Sequence, residues 1–98
     1  MLFDPIKDKD KIIKVIELFY PQAKIYLFGS YARGDYTSSS DVDIALDNGE
    51  KLDLINPSRI KEILGVLPFP QNFDIVDFHR IPPTLKDNII KDRIIWKS

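Results

Sequence analysis

The stretch that decides the reading is Gly29-Ser30-Tyr31-Ala32-Arg33-Gly34, followed after a polar loop by Asp41-Val42-Asp43. Just before it, Ala23 to Phe28 reads as a buried strand, because Ile25, Tyr26, Leu27 and Phe28 are β-branched, aromatic or large apolar residues. Gly29-Ser30 ends that strand abruptly, and Tyr31 to Arg33 fits one helical turn stopped by Gly34. Asp41 to Leu46 then alternates. Asp41, Asp43 and Ala45 fall on one face, and Val42, Ile44 and Leu46 on the other, the period of a half-buried strand. Ten residues separate Ser30 from Asp41.

Working outward, Ile12, Val15, Ile16 and Phe19 form an apolar stripe at helical spacing, which predicts a helix from about Asp8 to Phe19, ended by Pro21. Ile60, Ile63, Leu64 and Leu67 repeat the stripe. Asn56 is expected as its N-cap, Pro57 as its first residue, and Pro68 and Pro70 as its stop. Phe73 to Phe78 reads as a third strand, Pro83 to Asp92 as a last helix, and Ile94-Ile95-Trp96 as a short terminal strand. Strands separated by helices predict an α/β fold: a small mixed sheet covered by helices on one face, in a single domain over residues 1–98.

Composition narrows the function classes. Lys plus Arg number 14 and Asp plus Glu 15, so the net charge of −1 makes nucleic acid an unlikely partner, since sequence-blind binding needs a basic excess. The absence of cysteine excludes disulfide scaffolds, thiolate zinc sites and a Cys nucleophile, and a single His79 excludes multi-histidine metal sites. No apolar run approaches the ~20 residues of a membrane span. Met1 to Asp10 lacks the apolar core of a signal peptide, so a cytoplasmic location without membrane association is expected.

The chemistry lies in two pieces. Carboxylates two apart on a strand point to the same side, about 7 Å apart along the chain. Side by side they repel, and a divalent cation removes that penalty. Hard oxygen ligands suit Mg²⁺, which keeps waters and binds substrate phosphates. Two such ions about 3.5–4 Å apart can steady both the attacking and the leaving oxygens of a displacement. A Gly-Ser turn at a strand end lets the backbone approach a phosphate, and the Ser30 hydroxyl adds a donor. Phosphate grip beside metal carboxylates makes a nucleoside triphosphate site. A Walker A loop fails, because Asp35 and Tyr36 follow Gly34 where Lys and Ser or Thr would be required. A calcium loop fails because Asp35 to Asp47 lacks the alternating ligand order.

These residues resemble the Gly-Ser, ten-residue gap, Asp-x-Asp signature of the polymerase-beta-like nucleotidyltransferase superfamily. The short chain and Phe73-Asp74-Ile75-Val76-Asp77 resemble its minimal nucleotidyltransferases, the MNT proteins, which are encoded beside helical HEPN proteins and act as antitoxins in HEPN–MNT toxin–antitoxin pairs. The resemblance runs from about Ala23 to Phe78. It implies that Gly29 and Ser30 hold the triphosphate of ATP, that Asp41 and Asp43 bind two Mg²⁺ ions, and that a third carboxylate completes the catalytic metal site. Asp74 and Asp77 are three apart, so a regular strand points them to opposite faces and only one can join. Asp74 matches the family's position best, and Asp77 is the alternative. The implied reaction is AMP transfer from ATP to a hydroxyl, typically tyrosine, of the HEPN toxin. Larger relatives carry a further domain for the acceptor, so a chain of this length is expected to find its acceptor in another chain. The competing expectations are a module that masks its partner without catalysis, and the catalytic subunit of a two-chain transferase for a small molecule.

Other residues carry plainer expectations. Arg33 suits phosphate, partner or solvent; His79 is expected as a polar surface residue; Phe69 and Trp96 as core or edge packing. The apolar run Leu85, Ile89, Ile90, Ile94, Ile95 and Trp96 exceeds what a short end needs, and suggests a partner or self-association surface.

Overall fold

The computed structural model describes residues 3–5 and 7–98. In chain order the elements are α1 (Lys9–Phe19), β1 (Lys24–Phe28), α2 (Ser30–Arg33), β2 (Val42–Asp47), α3 (Asn56–Gly65), β3 (Phe73–Asp77), α4 (Pro83–Asp92) and β4 (Ile94–Lys97). The four strands form one mixed sheet in the order β3-β2-β1-β4. β1 runs antiparallel to both β2 and β4, whereas β2 and β3 are parallel. A parallel pair needs a crossover, and α3 supplies it.

Strand alternation sorts the sheet into two faces. Ile25, Leu27, Val42, Ile44 and Leu46 meet Ile12 and Ile16 of α1, Ile60 and Leu64 of α3 and Tyr31 of α2 in the larger core. The two apolar stripes therefore do what their spacing implies. The opposite face carries a smaller cluster of Tyr26, Ala45, Phe78 and Ile89, so α4 adds partial cover on that side. Phe69 and Trp96 are buried in the larger core, as expected. Lys97 ties the edge strand back to α1, donating to Glu17 Oε2 at 2.7 Å and to the Pro21 carbonyl at 2.6 Å. Of the apolar C-terminal run, Ile89 and Trp96 are buried while Ile90, Ile94 and Ile95 stay exposed.

Two local expectations change. Asn56 is the first helical residue of α3 rather than its cap. The Asp53 carboxylate accepts from the Ile55 and Asn56 amides at 3.2 and 2.7 Å, because an aspartate two or three residues upstream reaches free N–H groups at the helix start. α3 also stops at Gly65, before Leu67, with Val66 and Leu67 continuing as a tighter turn onto the Ile63 and Leu64 carbonyls. Among the described residues no helix is long and apolar enough to cross a membrane.

Candidate functional site

The end of β1 lies against the start of β2, which in turn lies against the start of β3. Phe28 pairs with Asp43, and Asp43 pairs with Asp74, so these three residues form one row across the sheet, on the face opposite the larger core. Directly beyond Phe28 the chain turns at Gly29 with φ 73° and ψ −154°, a conformation that L side chains avoid. A Cβ placed on Gly29 would overlap the Asp43 Oδ2 atom. The carboxylate thus rests on the bare glycine, and the missing side chain is a steric requirement of the site. The Gly29 carbonyl accepts from the Ala32 and Arg33 amides at 3.1 and 3.0 Å, which winds α2 and turns Arg33 toward the same side; Gly34, at φ 86°, closes the turn.

Gly29, Ser30, Arg33 and Asp43 line one wall of a cleft of about 630 Å³. Its other wall is α4. Arg33 is the cation of this cleft, 3.3 Å from Asp35 on its own side and 3.9 Å from Asp92 across it. Both pairs are open to solvent, so neither holds the guanidinium firmly.

Burial first, then the negative charges of Asp74 and Asp41, push the Asp43 carboxyl up to about 6, against the opposing pull of Arg33. The three acids predicted from sequence therefore sit within electrostatic reach of one another. Asp41, one residue before β2, is exposed and does not line the cleft. Asp74 is half exposed, with Lys61 of α3 at 3.6 Å. Among the described residues no three acidic or histidine side chains are drawn close enough to cage a metal by themselves.

Asp77 is placed differently. It points to the face of the larger core, where its carboxylate accepts from the amides of Leu52 at 2.8 Å and His79 at 2.9 Å and from Arg80 Nε at 3.1 Å. It fastens the chain on either side of α3 and β3 and lies away from Asp43.

Sequence reasoning missed the α4 wall: Leu85 reads with the apolar run as a partner surface, and Asn88 and Asp92 show no pattern until the fold brings them opposite Gly29. His79, expected as a polar surface residue, is partly exposed and has a partner that sequence reasoning did not find: its Nε2 lies 2.6 Å from Asp47 Oδ1, and the side chains are 29% and 17% exposed. The pairing spans 32 residues and no local pattern announces it.

Known proteins are similar to this chain over most of its length. A protein of Methanocaldococcus jannaschii provisionally named a protein adenylyltransferase, MJ0435, is 33% identical over 90 residues, covering 88% of this chain and 90% of that one. A crystal structure of a toxin–antitoxin with AMP-PNP superposes with a TM-score of 0.82 at 28% identity, over 93% of this chain and 73% of the matched chain. A rebuilt structure of the tri-AMPylated Shewanella oneidensis HEPN toxin in complex with MNT antitoxin gives 0.74 at 26% identity, over 93% and 70%. The family model described as polymerase beta, nucleotidyltransferase matches residues 10–98, which include the glycine turn, the row of acids and both cleft walls. With fold, motif and match in agreement over nearly its whole length, the chain belongs to the polymerase-beta nucleotidyltransferase family.

Proposed function

We propose that this protein is a minimal transferase domain, spanning residues 1–98 and acting in the cytoplasm, that moves AMP from ATP to a hydroxyl, most simply a tyrosine, of a HEPN-type helical toxin and so silences it. The observation that carries the proposal is the seat of Asp43: its carboxylate lies on Gly29, beside Ser30, in register with Asp74. Phosphate-holding and cation-holding groups thus share one corner of the sheet. The adenylyl donor and the HEPN acceptor come from the relatives, one bound with AMP-PNP and one beside an AMPylated toxin.

In this reading Gly29 and Ser30 hold the triphosphate, and Arg33 exchanges its solvent-exposed carboxylate partners for phosphate oxygens, with which a guanidinium pairs more strongly. Asp41, Asp43 and Asp74 hold Mg²⁺. The donor set fits such an ion, because all three are hard oxygen ligands and because mutual repulsion at Asp43 disappears when a divalent charge is added. Bound there, Mg²⁺ supplies charge neutralisation for the phosphates. The acceptor oxygen attacks the α-phosphorus, its bond to the β-bridging oxygen breaks, and pyrophosphate leaves. In the same reading Asp74, half exposed, takes the proton of the entering hydroxyl.

The test is incubation with Mg²⁺, α-labelled ATP and the helical partner. Label is expected on the partner and lost on chelation with EDTA. Asp41→Asn and Asp43→Asn each abolish it. Normal labelling by both variants would overturn the site. Neutralisation of the toxin by an unlabelling Asp43→Asn protein would favour masking.

A further inference from the structure

The α4 wall has a pattern of its own. Leu85, Asn88, Ile89 and Asp92 face the cleft at spacings i, i+3, i+4 and i+7, which places them along one helical face. Ile89 anchors the stripe, being 1% exposed against Tyr26, Ala45 and Phe78. Its neighbours are thereby held on a rigid element, while Leu85 and Asn88 remain exposed to the cleft. The two ends of the stripe differ. Asp92 meets Arg33, marking the charged end. Leu85 lies seven residues earlier, about 10 Å along the axis at 1.5 Å per residue. Leu85 and, across the cleft at the end of β1, Phe28 are apolar side chains of the lining. Between the ends stands the Asn88 amide, which presents an uncharged donor and an acceptor side by side.

A triphosphate needs neither an apolar pair nor an amide. A nucleoside needs both: flat apolar faces to cover its base, and a donor–acceptor pair for its polar edge. The volume of about 630 Å³ also lies within the range of sites that hold a whole small ligand. Resting on the transferase reading above, we infer that α4 is the nucleoside half of the cleft. Leu85 and Phe28 pack the base, and Asn88 hydrogen-bonds the edge by which adenine offers an amino donor beside a ring-nitrogen acceptor.

Calorimetric titration of the full chain with Mg-ATP, Mg-GTP and inorganic tripolyphosphate separates the two halves. Asn88→Ala is expected to weaken ATP about tenfold, to shrink the ATP-over-GTP preference by a similar factor and to leave tripolyphosphate within about twofold. Leu85→Ala is expected to weaken ATP and GTP alike, about fivefold each, and again to spare tripolyphosphate. Both side chains are exposed, so thermal midpoints should not move. Unchanged ATP binding in both variants overturns the inference, as does equal loss of tripolyphosphate. Wild-type protein that binds tripolyphosphate as tightly as ATP also overturns it while leaving the phosphate corner intact. Binding of neither by the wild type refutes the transferase reading itself.

Discussion

Asp43 and Asp47 lie on one strand, on one face, four residues apart, and their surroundings are opposite. Asp47 is provided for: His79 Nε2 stands 2.6 Å away, the Gly49 amide donates at 3.0 Å, and the Tyr26 hydroxyl donates at 3.5 Å. Burial alone would raise its carboxyl, but the His79 and Gly49 hydrogen bonds outweigh it and hold the group below the ordinary value. Asp43 has burial and two like charges, countered by a solvent-exposed arginine, and is pushed up to about 6. A fold that satisfies one carboxylate so fully and leaves its neighbour under repulsion is storing unfavourable electrostatics where a cation and a phosphate would relieve it. β3 repeats the contrast, with Asp74 in the row of acids and Asp77 fully bonded behind it.

The most severe way to break the contrast is Asp43→Asn. AMP transfer should fall about a thousandfold, since a charge that meets the reacting phosphate is removed from a preorganised site. Thermal stability without nucleotide should instead rise, by about 1 kcal/mol after allowance for solvent screening, because the repelled charge is gone. Labelled transfer and a melting curve on the same sample check both signs. A loss of stability would mean that Asp43 is structural like Asp47.

Gly29→Ala attacks the same corner from the other side. The new methyl cannot share space with Asp43 Oδ2 and the backbone sits at φ 73°, so either the turn or the carboxylate must move. A displacement of about 1 Å is expected to cost about a hundredfold in transfer, together with about 1–3 kcal/mol of stability. Gly34→Ala at φ 86°, with open space around it, shares the backbone strain but not the overlap, and should keep far more activity.

This corner was legible in the sequence because each part is local. Gly-Ser after an apolar strand and Asp-x-Asp in an alternating one are patterns of neighbours, and only their convergence had to be supplied by pairing. The two long helices were legible for the same reason, their stripes being periodic. What stayed hidden depends on side chains that meet only after folding. Asn56 entered the helix while Asp53 bound its amide, His79 found Asp47 across 32 residues, and α4 became a wall of the cleft. The choice between Asp74 and Asp77 was half legible: alternation said that one of them must leave the site, and the register Asp43↔Asp74 says which one stands beside the other acids.

That choice is sharpened by a matched pair. Asp74→Asn should lower transfer about a hundredfold with no loss in melting temperature, since the repulsion it relieves at Asp43 offsets the Lys61 contact, which is a surface pair. Asp77→Asn should do the reverse, costing about 2 kcal/mol by stranding the Leu52 and His79 amides and Arg80, with transfer retained at temperatures well below melting. An Asp77 variant that folds normally and fails to transfer would exchange the two assignments.

The smallest effect is the one that tests the opening contrast most directly, because it asks for opposite slopes from two aspartates on one strand. Asp43, with its folded value raised to about 6, contributes stability that is complete below the ordinary 3.8 and is lost as pH rises through about 6. Asp47, with its folded value depressed, contributes stability that is present above 3.8 and is lost as pH falls through its lower folded value. Urea unfolding of the nucleotide-free protein should therefore give a stability that climbs between pH 7 and 5 and drops below pH 4. Asp43→Asn should remove the climb and leave the drop. Asp47→Asn should flatten the drop and lower stability at pH 7 by about 1 kcal/mol, as the His79 contact loses its charge. If the two variants alter the same limb, the two carboxylates share one environment and the distinction between a satisfied and a stored charge fails.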